Sequence, residues 1–206
     1  MGVSRKEYWD HVYETKGPTD LSWFQSVPSR SMEMIRETGV PTEAPVIDVG
    51  AGVSSLVDTL INSDFSDISA LEISNTAIAE CRARLGDAAS RVKWIHADVL
   101  EWKPKGRYYL WHDRAVFHFM TDQAATDNYL NTMRTALVPG GYFVLATFGP
   151  EGPDRCSGLD VQRYSIEQLI HLLEDDFELK SYGLEDHTTP TGNVQQFLYS
   201  CWQMKG

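Results

Sequence analysis

Val46-Ile47-Asp48-Val49-Gly50-Ala51-Gly52 is the stretch on which the reading of this 206-residue chain turns. Val46 to Val49 reads as a short buried strand, and Gly50-Ala51-Gly52 as a tight turn. Ser54 to Asn62 then carries apolar residues at helical spacing. Strand, glycine turn and helix in succession are the opening unit of a parallel α/β sheet.

The same rhythm continues downstream. Ile68 to Ile73 reads as a second strand, Ser74 to Leu85 as a helix, and Val92 to His96 as a third strand closed by Asp98. Tyr108 to Trp111 is a fourth strand, and Asp122 to Leu137 a helix halted by Pro139-Gly140-Gly141 before a fifth strand, Tyr142 to Phe148. A loop from Gly149 to Asp160 precedes a helix that Ser165 caps and that runs to about Glu174. The tail reads as strands Phe177 to Leu184 and Val194 to Gln203, joined by a turn containing Thr189-Pro190-Thr191-Gly192. Alternation predicts a parallel sheet, and the closing pair predicts one antiparallel strand within it. Upstream, Ser4 and Glu7 make a capping box for a helix that Gly17-Pro18 stops. Leu21 to Pro28 is an aromatic loop, and Ser29 caps a helix ending near Gly39.

Composition narrows the function classes. A chain of 206 residues suits one domain, and its 42% hydrophobic content is that of a globular protein. No apolar stretch is long enough to span a membrane, and Met1 to Asp10 lacks the apolar core of a signal peptide, so a cytoplasmic location is expected. Cys81, Cys156 and Cys201 are too scattered for a disulfide framework or a metal site and read as reduced thiols. A net charge of −11 opposes broad binding to phosphate backbones, so neither nucleic acid nor membrane is an expected partner.

In an open α/β sheet the ligand sits beyond the carboxyl ends of the strands, and three of those ends carry suitable residues. The first ends in Asp48-Val49-Gly50-Ala51-Gly52, where glycines admit a ligand close to the backbone. The second ends in Glu72, whose carboxylate suits a ribose diol, and the third in Asp98, which suits an exocyclic amine. Together they describe a nucleoside pocket. A dinucleotide fingerprint would place a third glycine at position 55, which is Ser55. Asp48, two residues before the first glycine, would repel a pyrophosphate and suits the sulfonium and ammonium groups of S-adenosylmethionine. The turn alone leaves both cofactor classes open.

Four motifs taken together resemble the class I methyltransferases over essentially the whole chain: the opening stretch, Leu71-Glu72-Ile73-Ser74, Ala97-Asp98-Val99 and Leu137-Val138-Pro139-Gly140-Gly141. Two shorter stretches are similar to narrower branches. Tyr8-Trp9-Asp10 with Trp23-Phe24 resembles elongation-factor lysine methyltransferases, and Trp111-His112-Asp113-Arg114-Ala115 resembles thiopurine-type methyltransferases. The resemblance implies an α/β, Rossmann-like seven-stranded sheet of order 3-2-1-4-5-7-6 with strand 7 antiparallel and helices on both faces. It implies one domain over 1–206, in which residues 1–40 form a helical cap over the cofactor and 41–206 the Rossmann-like core. It also implies S-adenosylmethionine as cofactor, S-adenosylhomocysteine as product, and a cofactor set of Trp23, Asp48, Gly50, Gly52, Ser54, Glu72, Ile73, Asp98 and Val99. Ser54 stands where the family's turn has its third glycine.

The end of the fourth strand gathers His112-Asp113-Arg114 and, a few residues on, Phe117-His118-Phe119. Methyl transfer needs an aligned, desolvated nucleophile, and a base only where that nucleophile arrives protonated. Asp113 is the expected proton acceptor or substrate-orienting group. Arg114 either fixes an anionic group or pairs with Asp113. His118 reads as a packed aromatic-cluster histidine, and His187 as a surface residue. Gly149 to Tyr164 reads as a substrate-facing lid containing Cys156. Trp9, Tyr13, Trp23 and Phe24 either shield a sulfonium or pack beneath the first helix. Three functions follow: a methyltransferase for a small molecule such as a thiol, a protein lysine methyltransferase, or a cofactor-binding module without catalysis.

Overall fold

The computed structural model describes residues 3–206, so the first two positions of the expected 1–40 cap lie outside the described residues. Seven strands form the main sheet: β1 Val46–Val49, β2 Ile68–Glu72, β3 Val92–His96, β4 Tyr108–Arg114, β5 Leu137–Phe148, β6 Phe177–Thr188 and β7 Val194–Met204. Their order is 3-2-1-4-5-7-6. β1 to β5 are parallel, and β7 runs antiparallel to both β5 and β6, as the closing pair predicts.

Six α-helices accompany the sheet: α1 Arg5–Thr15, α2 Ser29–Glu37, α3 Leu56–Asn62, α4 Asn75–Leu85, α5 Gln123–Ala136 and α6 Ile166–Leu173. Most start where a side chain can accept from their free amide groups. Ser4 caps α1 in a capping box with Glu7, Ser74 caps α4, Asp122 caps α5, and Ser165 caps α6 with Gln168. Two boundaries differ from expectation. Ser29 is the first helical residue of α2, with Pro28 at the cap and no side-chain cap bond. α3 begins at Leu56, because the turn after β1 takes up Ser54 and Ser55.

β4 is longer than its apolar run suggests, continuing through His112, Asp113 and Arg114. Polar residues persist in this strand because each finds a partner or a cleft, as described below. Strand alternation divides the interior into two cores. Val46, Leu110, Val144, Phe148, Phe197 and Tyr199 pack against α2 and α3 on one face. Ile47, Trp111, Phe143, Leu145 and Trp202 pack with α5 and α6 residues on the other. No helix is long and apolar enough to cross a membrane among the described residues.

Candidate active site

The turn after β1 forms the floor of a cleft at the carboxyl ends of the strands. Gly50 and Gly52 hold φ of +66° and +52°, which glycine adopts without steric cost. Space excludes side chains there as well. A Cβ on Gly50 would stand 2.0 Å from Val116 Cγ2, and one on Gly52 would stand 2.6 Å from the Tyr13 hydroxyl oxygen. The turn is fastened to β2, since the Gly52 and Ser74 amides donate to the two carboxylate oxygens of Glu72, each at 2.8 Å. Burial pushes the Glu72 pKa up to about 7 against the lowering effect of those amide bonds. Each oxygen keeps a lone pair for a ligand hydroxyl.

Asp48 extends from β1 into the same cleft. Its Oδ1 lies 2.7 Å from His112 Nδ1, and His112 Nε2 lies 2.9 Å from the Ser31 hydroxyl on α2. His112 thus bridges the Asp48 carboxylate and the Ser31 hydroxyl across the cleft wall. The second carboxylate oxygen, Oδ2, is buried without any partner. Such an oxygen is costly to leave bare and calls for a donor, best a cationic one.

Alternation along β4 settles the fate of its polar triplet. His112 and Arg114 face the cleft, whereas Asp113 points into the opposite core and is 0% exposed. There it accepts from the Val116 amide at 3.0 Å, the Phe117 amide and the Tyr129 hydroxyl, which itself accepts from Trp111 Nε1 at 2.9 Å. Burial raises the Asp113 pKa to about 6 despite these donors. Asp113 neither pairs with Arg114 nor reaches the cleft, so the expectation that it accepts a substrate proton is corrected to one of fixing the loop after β4. Arg114 instead donates from Nε to the Tyr199 hydroxyl at 2.9 Å and from Nη1 to the Trp23 carbonyl at 2.8 Å. Its guanidinium carbon sits 4.5 Å from the Phe197 ring centroid. His118 is sealed between Phe119 and Phe148 with both ring nitrogens unpartnered. Burial, and then the charge of Arg114, lower its pKa to about 3, so it stays neutral.

The roof comes from the N-terminal segment. Trp9 of α1 packs against Tyr13, Trp23 and Phe119, and all four rings line the cleft. Asp10 accepts from the Ser74 hydroxyl at 2.7 Å and the Thr76 amide at 3.2 Å, pinning α1 to the start of α4. The loop after β5 contributes a small hairpin, Arg155–Cys156 paired with Leu159–Asp160. The Tyr8 hydroxyl donates to the Ser157 carbonyl at its tip, joining the hairpin to α1. Cys156 lines the cleft as a thiol whose pKa burial pushes up to about 12. His187 is buried rather than on the surface, 2.8 Å from the Ser22 carbonyl, which anchors the aromatic loop to β6.

Of the residues expected to hold a nucleoside cofactor, Trp23, Asp48, Gly50, Ser54, Glu72, Ile73 and Val99 line this one cleft, and Gly52 supports it through Glu72. Asp98 does not line it. Its carboxylate pairs with Arg5 at 2.9 Å and accepts from the Leu100 amide at 2.9 Å, an arrangement that fixes the turn after β3.

The chain is similar to known proteins over the same region. Residues 46–141 match a family model described as "Methyltransferase domain". Methyltransferase tpcM of Aspergillus fumigatus is 28% identical over 189 residues, covering 92% of this chain and 54% of that protein. Human EEF1A lysine methyltransferase 2 is 23% identical over 203 residues, covering 91% of this chain and 78% of that one. Residues 46–141 thus carry a methyltransferase-domain match, and the similarity to these two methyltransferases extends over most of the chain. The chain spans about half the length of the Aspergillus relative. A crystal structure of the glycopeptide N-methyltransferase MtfA complexed with S-adenosyl-L-homocysteine shares the fold, with a TM-score of 0.66, 17% identity, and coverage of 98% of this chain and 100% of that one.

Within this methyltransferase fold, sequence reasoning passed over Ser31 and His112 as site residues. The signal for His112 was present, since β4 pairs in register with β1 and places His112 beside Asp48. Ser31 carried none, because its approach depends on how α2 docks.

Proposed function

We propose that the chain is an S-adenosylmethionine-dependent methyltransferase acting on a small organic molecule, with residues 1–40 as a cap over the cofactor. The observation that carries this reading is the buried, unpartnered Asp48 Oδ2, which shares one cleft with Glu72. An ammonium group satisfies the first carboxylate, and a ribose diol fits the second. The cofactor supplies a methyl group bonded to a positively charged sulfur, ready for in-line displacement by a nucleophile.

This chain's residues do the positioning. Ser31 and His112 hold the Asp48 carboxylate in one rotamer. The Gly50–Gly52 turn brings backbone against the ligand, Ile73 and Val99 offer apolar faces for an adenine ring, and the aromatic roof excludes water. The cap and hairpin narrow the approach to the cleft, which favours a small acceptor over a folded protein. The similarity to EEF1A lysine methyltransferase 2, together with a net charge of −11 that would attract a basic protein, supports a second reading as a protein lysine methyltransferase.

Incubation with methyl-labelled S-adenosylmethionine and either a panel of small nucleophiles or a cell lysate separates the two. The first reading requires label in small organic products. Label confined to protein would support the second, and no transfer to either would remove both.

A further inference from the structure

We propose that Arg84 is a positioning residue for the cofactor: from α4 it holds the backbone that follows the glycine turn in the shape the ligand requires. The inference rests on the cofactor reading of the cleft. Arg84 does not line that cleft, but Val53, Ser54 and Ser55 do. Three successive carbonyls of the segment accept from α4. The Cys81 thiol donates to the Gly52 carbonyl at 3.0 Å, Arg84 Nη1 to the Val53 carbonyl at 2.9 Å, and Arg84 Nη2 to the Ser54 carbonyl at 2.7 Å. The same guanidinium engages Asp58 in the first turn of α3, with Nε donating to Oδ1 at 3.0 Å and Nη2 to Oδ2 at 2.7 Å. One planar fork thus ties α4, the turn and α3 together.

The turn has reason to need this clasp. Gly50 and Gly52 bend the backbone, yet glycine brings no side-chain contacts to keep it bent. Glu72 secures the Gly52 amide on one side, and α3 starts only at Leu56 on the other. The clasp holds the stretch between them. That stretch is also where the cap meets the turn, since Val53 shares an apolar cluster with Tyr13 of α1 and Cys81 of α4. Cys81 remains a neutral donor, its pKa pushed up to about 12 by burial. Arg84 therefore acts by preorganisation. A turn that spends part of its time in another shape binds more weakly by the fraction of time it is out of place.

The test titrates S-adenosylhomocysteine calorimetrically into wild type, Arg84→Ala, Arg84→Lys and Asp58→Asn. Lys93→Ala serves as control, because it breaks an ion pair with Asp67 at the amino ends of β2 and β3, away from the cleft. Arg84→Ala is expected to bind about tenfold more weakly and to associate more slowly in stopped-flow tryptophan fluorescence, with its folded fraction by circular dichroism kept. Arg84→Lys should recover part of the affinity, since an ammonium keeps the charge without the fork. Asp58→Asn should lose less than Arg84→Ala, and Lys93→Ala nothing. Unchanged affinity in Arg84→Ala, an equal loss in Lys93→Ala, or a loss that only tracks a fall in folded fraction would overturn the proposal. Where Arg84→Ala does not fold, Arg84→Lys and Asp58→Asn decide, and wild-type affinity in both overturns it. Failure of S-adenosylhomocysteine to bind the wild-type protein would strike the cofactor reading instead.

Discussion

Glu72 carries the clearest pH signature. Its folded pKa is about 7 against an ordinary 4.5, so the folded state holds a proton that the unfolded chain has lost between those values. Its contribution to stability is therefore present below about pH 4.5 and lost as pH rises through about 7. Denaturant titrations of wild type and Glu72→Gln across that window should show a flatter profile in the variant, and parallel profiles would contradict the assignment. Ligand hydroxyls donate to the ionised form, so S-adenosylhomocysteine affinity is expected to rise through the same window. Asp113 makes a contrasting case. Tyr129→Phe leaves one of its buried oxygens short of a donor and should cost about 1–3 kcal/mol of stability, with cofactor affinity kept. A loss of cofactor binding without a loss of stability would place Asp113 in the site after all. The sequence showed Asp48, Glu72 and Arg114 through their positions at strand ends. It did not show which way Asp113 faced, because the polar triplet His112-Asp113-Arg114 was read as lying beyond the strand, and alternation assigns faces only within one.

At the level of elements, the capping residues and apolar periods were legible because they are local. Ser4 with Glu7 and Ser165 cap the helices their spacing predicts, Ser74 and Asp122, read as first helical residues, stand at the caps of α4 and α5, and the cap expected at Ser29 is not formed. What escaped was set by contacts distant in sequence: the docking of α2 that brings Ser31 to His112, the Arg5 contact that takes up Asp98, and the burial of His187 beneath the aromatic loop. The loop after β5 was read as a lid, and its hairpin touches α1 through Tyr8 and Ser157. Tyr8→Phe removes that bond at little expected cost to overall stability, because Tyr8 is only partly buried. Faster release of S-adenosylhomocysteine in stopped-flow tryptophan fluorescence is the expected result, by a few-fold on the scale of one hydrogen bond. An unchanged rate would mean that the hairpin does not govern access.

Across the whole molecule, one sheet order brings five segments distant in sequence to a single cleft. β1 and β2 supply the two carboxylates, β4 supplies His112 and Arg114, and the N-terminal segment and hairpin supply the roof. The strand order came with the resemblance to the class I methyltransferases, and the parallel sheet and its antiparallel closing strand were legible from the alternation of elements. The acceptor was not, because its site is assembled from side chains whose meeting depends on tertiary packing. A turn with two glycines fits two cofactor classes, and Asp48 and Glu72 divide them only if both act on one ligand. Calorimetric titration with S-adenosylhomocysteine and, separately, with NAD tests this directly. The expected result is binding of S-adenosylhomocysteine at one site, weakened by Glu72→Ala, and no binding of NAD; binding of NAD with none of S-adenosylhomocysteine would contradict the cofactor assignment.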